Sequence, residues 1–432
     1  MKINHMIIRN FRGIGELELP LDHQLTVLVG VNGSGKSSVL DALAILLSWV
    51  VARIRHPGGS GRSIRELDIH NQANQTMISA IASQPSRINW QLGKTRQGYS
   101  RTSSSSELGS ISQYAKDIQR EIEVTKERCN IPLFAYYPVN RAVLDIPLRI
   151  SKSHKFSLLE AWDDSLTSAA NFRSFFEWFR NREDLENENR KYVDHPTKPN
   201  DWLFPDPQLE AVRRALEAFL PEFKQFSVRR NPLRMTVLKH GEEIRVDQLS
   251  DGEKCLIALI GDLARRLAIC NPAGENPLDG EGVVLIDEID LHLHPAWERM
   301  VIPRLIHTFP LCQFVISTHS PQVIGEVSAQ QVGLLIQDDA NRITHLIPKQ
   351  SRGLTTNDIL DELMRPAGAT ETLTRNSEVE SQLANMFRLI DQEHFIEARA
   401  EIDRLKEQLQ GDIPELVHAQ SLLAMLDVKP EE

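Results

Sequence analysis

Residues 30–38, GVNGSGKSS, follow an apolar segment, QLTVLVG, and lead into SSVLDALAILLSWVVARI, whose apolar residues recur at helical spacing. Strand, glycine loop and helix in that order are the setting a phosphate-binding loop requires. Gly30 to Ser37 satisfy G-x-x-x-x-G-K-[ST] at every position. Gly33 and Gly35, with Asn32 and Ser38 beside them, let backbone N–H groups close around phosphate oxygens at the positive end of the helix. Lys36 is placed to lie along the phosphates, and the Ser37 hydroxyl to ligate Mg2+. The fold class expected is α/β, and the ligands expected are a nucleotide and Mg2+.

Three later segments fit the same chemistry. VVLIDE, residues 283–288, is an apolar run ending in two carboxylates. Asp287 suits a water-mediated Mg2+ contact. Glu288, pointing to the other face of the strand end, suits the base that polarises the attacking water. ISTHS, residues 316–320, ends a strand with His319, where an imidazole can hydrogen-bond a γ-phosphate. LSDGEK, residues 249–254, opens the helix CLIALIGDLARRLAI. Ser250 is a good N-cap there, Gly252 permits close backbone approach, and Glu253 completes the nucleotide-binding stretch. Taken singly, these are also an ordinary strand end, an ordinary capped helix and an ordinary structural histidine. Their weight lies in occurring together and in this order.

The 432 residues hold 59 acidic and 49 basic side chains, a net charge of −10, with 41% hydrophobic and 25% charged residues. Such a chain buries a real core. The charge argues against a nucleic-acid binder over the whole surface, and leaves RRNPLR (229–234) and LARRLA (263–268) as local basic sites. MKINHMIIRNFRG lacks a signal-peptide core, and the apolar run Val39–Val51, broken by Asp41, is too short to span a bilayer. Four cysteines without a CxxC pair suggest neither zinc nor disulfides, so a cytoplasmic protein with reduced thiols is expected.

Along the chain, HPGGSG at 56–61 breaks structure, and the stretch to about residue 113, with SRTSSSS at 100–106, reads as a loop or insertion. IPLFAYYPV (131–139) reads as a buried strand, and residues 156–225 as mainly helical. Phe172, Phe175, Phe176, Trp178 and Phe179 suit a helix packed on the sheet better than a base-stacking platform, because the charge beside them is mixed. PLRMTVLKHGEEIRV reads as a hairpin, GLLIQ as a further strand, and the tail from about 355 as a two- or three-helix extension with a helix start at Asp412 and Pro414. The expected organisation is an N-terminal lobe at 1–145 with an insertion at about 56–128, a helical insertion at 146–235, a C-terminal lobe at 236–350 and a helical extension at 351–432.

The four motifs in this order resemble the ATP-binding cassette heads of the SMC and RecF-like class, with Leu249–Lys254 as the signature and His319 as the switch histidine. The resemblance implies an ABC-type P-loop ATPase head with helical insertion and C-terminal helical extension. It also implies a homodimer in which the Ser250 loop of one subunit caps the ATP held by Lys36 of the other. The start, IRNFRG, is similar to the strand entry of that class and places Arg12 near the nucleotide. His294 stands where that class has its D-loop aspartate, so Asp290 or His294 signals across the dimer. His292 and His294 alternate with leucine; a structural or D-loop role is favoured over metal binding because no third ligand is near. No Q-loop glutamine is evident, and Asn140, beside Arg141, is the stand-in. About 210 residues without heptads separate Ser37 from Ser250, which excludes a long coiled-coil arm. No Toprim or HNH pattern is present.

Most of the chain resembles the compact bacterial AAA-labelled ATPases of retron and Septu anti-phage systems, the PtuA type. The stretches that carry this are LVGVNGSGKSSVLDALA, YYPVNRAVLDIP, NFRSFFEWF, VDQLSDGEKCLIALIGDLARRLA, LIDEIDLHLHP and STHSPQV. That resemblance implies slow, regulatory hydrolysis, a higher homo-oligomer, a partner HNH nuclease (PtuB-like), a retron reverse transcriptase with its msDNA, contact with DNA and no membrane. The tail is then an oligomerisation or docking element, or simply a stabilising hairpin. Two other readings stand beside it: a RecF-like DNA clamp, and a nucleotide-locked scaffold in which Glu288→Gln changes nothing.

Overall fold

In the computed structural model, residues 1–83, 87–99, 106–139, 157–167, 172–199, 202–338, 342–365, 377–409 and 411–426 are described. The chain begins with β1 (Ile3–Phe11), β2 (Ile14–Pro20), β3 (Leu25–Val29) and the helix α1 (Lys36–Arg55). β4 (Gln75–Ala82), β5 (Ile88–Thr95), α2 (Gly109–Thr125) and β6 (Leu133–Tyr137) follow. Next come α3 (Phe172–Arg190), α4 (Pro207–Phe219), β7 (Phe223–Arg230), β8 (Leu233–Lys239) and β9 (Glu242–Arg245). The second half alternates α5 (Asp251–Cys270), β10 (Gly282–Ile286), α6 (Pro295–Thr308), β11 (Cys312–Ser317), the one-turn α7 (Pro321–Ile324), β12 (Val332–Gln337) and β13 (Ile343–Leu346). The last helices are α8 (Thr356–Leu363), α9 (Ser377–Asp391), α10 (Phe395–Leu409) and α11 (Pro414–Leu426).

The main sheet has the order β13-β12-β3-β11-β10-β6, parallel throughout except for β13 at its edge. β3, β6, β10 and β11 are buried along their whole length, the pattern of strands covered on both faces. A second, antiparallel sheet has the order β2-β1-β4-β5, and a third β7-β8-β9. α1 packs against strands of both larger sheets, so it is apolar all round, as a helix enclosed between two layers must be. Its 20 residues are long and apolar enough to cross a membrane, which the run Val39–Val51 underestimates, but they are largely enclosed in the fold.

Three expectations are corrected here. The stretch after residue 61 is not simply a loop: β4 and β5 extend the second sheet, with β4 (QTMISAIA) burying alternate residues against α1. The alternation is there in sequence, but Ala, Ser and Thr supply too little apolar contrast to stand out. SRTSSSS lies outside the described residues except for Ser106, whose hydroxyl accepts from the Gly93 N–H at 3.1 Å. Second, the local basic sites are neutralised. Arg229 pairs with Glu243 and Arg230 with Glu183 and Asp184, while Arg265 and Arg266 are buried. Third, the net charge belongs to the tail. Residues 357–432 carry 17 acidic and 7 basic side chains, the entire −10, and residues 1–356 carry 42 of each. The overall charge is therefore no argument about the ATPase unit.

The aromatic set of α3 is buried at all five positions, as a packed helix requires. Beside it, α5 holds a buried ionic network. Asp262 accepts from Arg265 Nη2 at 2.6 Å, Arg266 Nε at 2.7 Å and the Tyr137 hydroxyl at 3.1 Å. Arg266 Nη1 also donates to the carbonyls of Ala161 (2.7 Å) and Asp163 (2.9 Å). Burial opposes ionisation of Asp262, but Arg266 and Arg265 more than offset it and hold its carboxyl below the usual range. Removing one member of such a set costs about 3–5 kcal/mol, so the network fastens α5 to the end of β6.

Contacts divide the chain into Met1–Thr356 and Asn357–Glu432. Within the second unit, α9, α10 and α11 enclose a core that includes Met386, Ile402, Leu405 and Leu416. The tail is thus a helical bundle with its own apolar interior.

Candidate nucleotide site

The phosphate loop leaves the centre of the parallel sheet, where β3 ends beside β11 and β12. Gly33 (φ 85°) and Gly35 (φ 92°) take the left-handed conformation that favours glycine. A Cβ on Gly30 would lie 2.4 Å from the Leu335 carbonyl oxygen and 2.6 Å from Ser34 Oγ, so that position is closed to any side chain. α1 starts at Lys36 with Gly35 as its cap and no side chain on its first N–H groups, which leaves them for an anion. Lys36 Nζ donates to the carbonyls of Gly30 (2.8 Å) and Val31 (3.1 Å), curling the loop over its own ammonium. Ser34 Oγ is buried and has no hydrogen-bond partner among the described residues. A closed glycine cradle, open helix N–H groups and an orphaned hydroxyl fit a bound phosphate chain. Asn32, Gly33 and Ser37 are exposed on the loop, and Ser38 is half-buried.

The carboxylates and the imidazole arrive from the neighbouring strands. β10 runs parallel to β11, with Ile286 opposite Ile316, so Asp287 and Glu288 emerge beside Ser317. The Ser317 hydroxyl donates to Asp287 Oδ1 and accepts from the Glu288 N–H at 2.8 Å, bracketing the pair. The Asp287 N–H reaches the Tyr137 carbonyl of β6 at 2.9 Å. Glu288 holds φ 47°, a left-handed backbone that costs a non-glycine residue about 1–3 kcal/mol. Two residues on, Asp290 Oδ1 accepts from Thr318 Oγ1 at 2.5 Å and from the His319 N–H at 3.4 Å. Burial lowers the Lys36 ammonium, with Asp287, Glu288 and Asp290 pulling in the other direction. Burial and then Lys36 lower the His319 imidazole below its ordinary value, with the same three carboxylates pulling in the other direction. Lys36, Asp287, Glu288, Asp290 and His319 therefore form one electrostatic set at the carboxyl ends of β3, β10 and β11, where ligands of open α/β sheets bind.

The signature stretch is a separately built helix end. Ser250 caps α5, accepting from the Glu253 N–H at 3.4 Å, and Glu253 returns to the Ser250 N–H at 2.8 Å. Ser250 is exposed. Two expectations change here. A Cβ on Gly252 would fall 2.4 Å from the His292 carbonyl oxygen, so the close approach that requires glycine is to the chain's own 288–294 segment. Glu253 is buried, with its carboxylate engaged by Ser250 and Lys239, so it prepares the helix end instead of facing a ligand.

Other expected residues are placed differently. Arg12 donates to Asp41 of α1 and to Asp68 Oδ1 (3.0 Å), and lies over the Phe11 ring at 5.0 Å. It braces the phosphate-loop helix, and a nucleotide contact requires it to exchange those partners. His294 Nδ1 accepts from the Ala296 N–H at 3.2 Å as the N-cap of α6, and no group of three His, Cys, Asp or Glu gathers as a metal site among the described residues. Asn140 lies outside the described residues. Sequence reading missed Ser317, Thr318, Lys239 and the pair Asp41–Arg62 (2.7 Å). Only Asp41 leaves a signal: a carboxylate inside an apolar helix implies a buried cation beside it.

The family model described as "AAA domain, putative AbiEii toxin, Type IV TA system" matches residues 25–325. The retron Vc95 probable ATPase of Vibrio cholerae serotype O1 biovar El Tor is 33% identical over 356 residues, covering 73% of this chain and 69% of its own. The retron Ec83 probable ATPase of Escherichia coli is 32% identical over 427 residues, covering 85% and 77%. The Septu protein PtuA of Bacillus thuringiensis is 24% identical over 383 residues, with 84% of each chain covered. The family match takes in the phosphate loop, the α5 helix end, the Asp287–Glu288 pair and His319, and the chain belongs to this AAA-domain, AbiEii-type family: it is an α/β P-loop ATPase related to those of retron and Septu systems.

Proposed function

We propose that this ATPase acts in anti-phage defence, as a nucleotide-dependent homo-oligomer that holds and releases a partner HNH nuclease in the cytoplasm. The observation that carries the mechanism is the pairing of a complete phosphate site around Lys36 with an exposed, capped helix end at Ser250. Two protomers related by a two-fold axis bring each Ser250 to the other's nucleotide. Ser37 and Asp287 supply oxygen donors of the hard kind Mg2+ takes, and Mg2+ when bound neutralises charge on the phosphates. Lys36 and the α1 N–H groups hold the phosphates. Glu288 accepts the proton of the attacking water, and His319 orients against the terminal phosphate. Ser317 keeps the two carboxylates apart in role.

The acidic tail bundle supports docking of a partner with a basic face, and it repels nucleic acid. The clamp reading, in which the ATP-bound dimer grips DNA, is supported less: Arg229, Arg230, Arg265 and Arg266 are engaged in internal ion pairs. Affinity purification from the native host, with mass spectrometry of what stays bound, tests the proposal. A small HNH protein is the expected companion; recovery of repair proteins, or of DNA alone with ATP, overturns it.

The cross-subunit role has its own check. Ser250→Arg places a bulky cation at the helix end without touching the phosphate loop. ATP affinity of the protomer stays within about twofold, while ATP-driven assembly, read by light scattering, and hydrolysis are lost by about a hundredfold. Assembly at the parental ATP concentration contradicts the assignment.

A further inference from the structure

We infer that Lys239 is a positioning residue for hydrolysis: from the end of β8 its ammonium fixes the Glu253 carboxylate, and through it the Ser250 hydroxyl at the N-terminus of α5. The inference rests on the cross-subunit role proposed for Ser250.

The two oxygens of Glu253 divide the work. Oε1 accepts from Lys239 Nζ at 2.6 Å, and Oε2 accepts from both the Ser250 N–H and the Ser250 hydroxyl at 2.8 Å. A capping box needs only the serine and the glutamate. The lysine adds a link to a different sheet, from a residue 14 positions earlier. The Lys239 ammonium also lies over the Phe223 ring at 5.0 Å, a second hold on the same charge. Burial works against the Glu253 carboxylate, yet the Lys239 and Ser250 hydrogen bonds more than offset it and hold the carboxyl below its ordinary range. With Oε1 anchored, rotation of the carboxylate is blocked and Oε2 keeps the serine hydroxyl in one orientation. The same helix end is held from its other side by the close approach of Gly252 to the His292 carbonyl. The Ser250 hydroxyl is thus set between β8 and the segment that follows Glu288, in place before any ligand arrives. Its one proton rests on Glu253 Oε2, so the oxygen is placed in advance, and the proton turns to a phosphate while Lys239 and the Ser250 N–H keep the carboxylate paired.

Lys239→Met tests this in the whole chain, because it keeps an unbranched stem of similar length and removes the ammonium. The expected result is ATP affinity within about twofold of the parent, measured with a fluorescent ATP analogue, and hydrolysis per protomer reduced at least about tenfold, the scale of one lost charge-assisted contact. Lys239→Arg, whose guanidinium reaches the same oxygen, restores most of that loss. Hydrolysis by Lys239→Met at the parental rate overturns the inference. So does a loss matched by an equal fall in ATP affinity or by a lowered melting temperature, or one that Lys239→Arg does not recover. Ser250→Arg separates the two levels. If it hydrolyses normally, the cross-subunit role of Ser250 fails and this inference with it. If it is inactive while Lys239→Met is unimpaired, only the role of Lys239 fails.

Discussion

Lys36→Ala loses ATP binding by about a hundredfold or more. The Lys36 ammonium is buried, held by two loop carbonyls, and faces three carboxylates. When the phosphate chain enters, those carbonyl contacts give way to charge-assisted bonds worth about 1.5–3 kcal/mol each. Two such bonds amount to a factor of about a hundred or more, since each 1.4 kcal/mol is about tenfold. The substitution leaves the fold in place, because alanine suits the first turn of a helix and the rest of α1 is packed between two sheets. Titration with a fluorescent ATP analogue, alongside a melting curve, reads the result. Affinity within about twofold of the parent would remove the phosphate-loop assignment.

Glu288→Gln separates binding from chemistry. The amide keeps the shape of the side chain and the left-handed backbone at that position, but it cannot take a proton from water. A general base contributes about a hundredfold to ten-thousandfold, so the rate falls by that factor while ATP still binds. With hydrolysis blocked, the ATP-closed dimer accumulates, and size-exclusion chromatography with and without ATP records it. Hydrolysis at the parental rate excludes Glu288 as the base. Loss of ATP affinity together with the rate assigns the residue a structural role instead.

The placement of these two residues at strand ends is legible in the sequence, because it is written in short spacings. A loop that wraps phosphate needs glycines and a lysine at fixed offsets, and a strand that delivers Asp287 and Glu288 must be apolar up to that point. The capping of α5 by Ser250 was legible for the same reason, since cap and partner lie three residues apart. Sequence also marked the aromatic face of α3 as core, through mixed charge around it.

What failed to show in sequence depends on which distant segments meet. LARRLA reads as a basic surface until Asp262 and Tyr137 are found against it, with Tyr137 more than a hundred residues away along the chain. Arg12 reads as a residue near the nucleotide, and Asp41 and Asp68 take its guanidinium. β4 and β5 read as polar loop because their strand character lies in pairing with β1 and cover by α1, and small side chains carry little of it. Glu253 reads as a ligand-facing residue until Lys239 reaches it from β8. Sequence alone thus determined the α/β class, the ATPase family and the order of the segments that meet at the carboxyl ends of the strands, because backbone geometry and short-range hydrogen bonds depend on neighbours in the chain. Tertiary structure alone decided which charges remain free to act. A charge is silenced or positioned by whatever folds against it, and no local pattern records that partner.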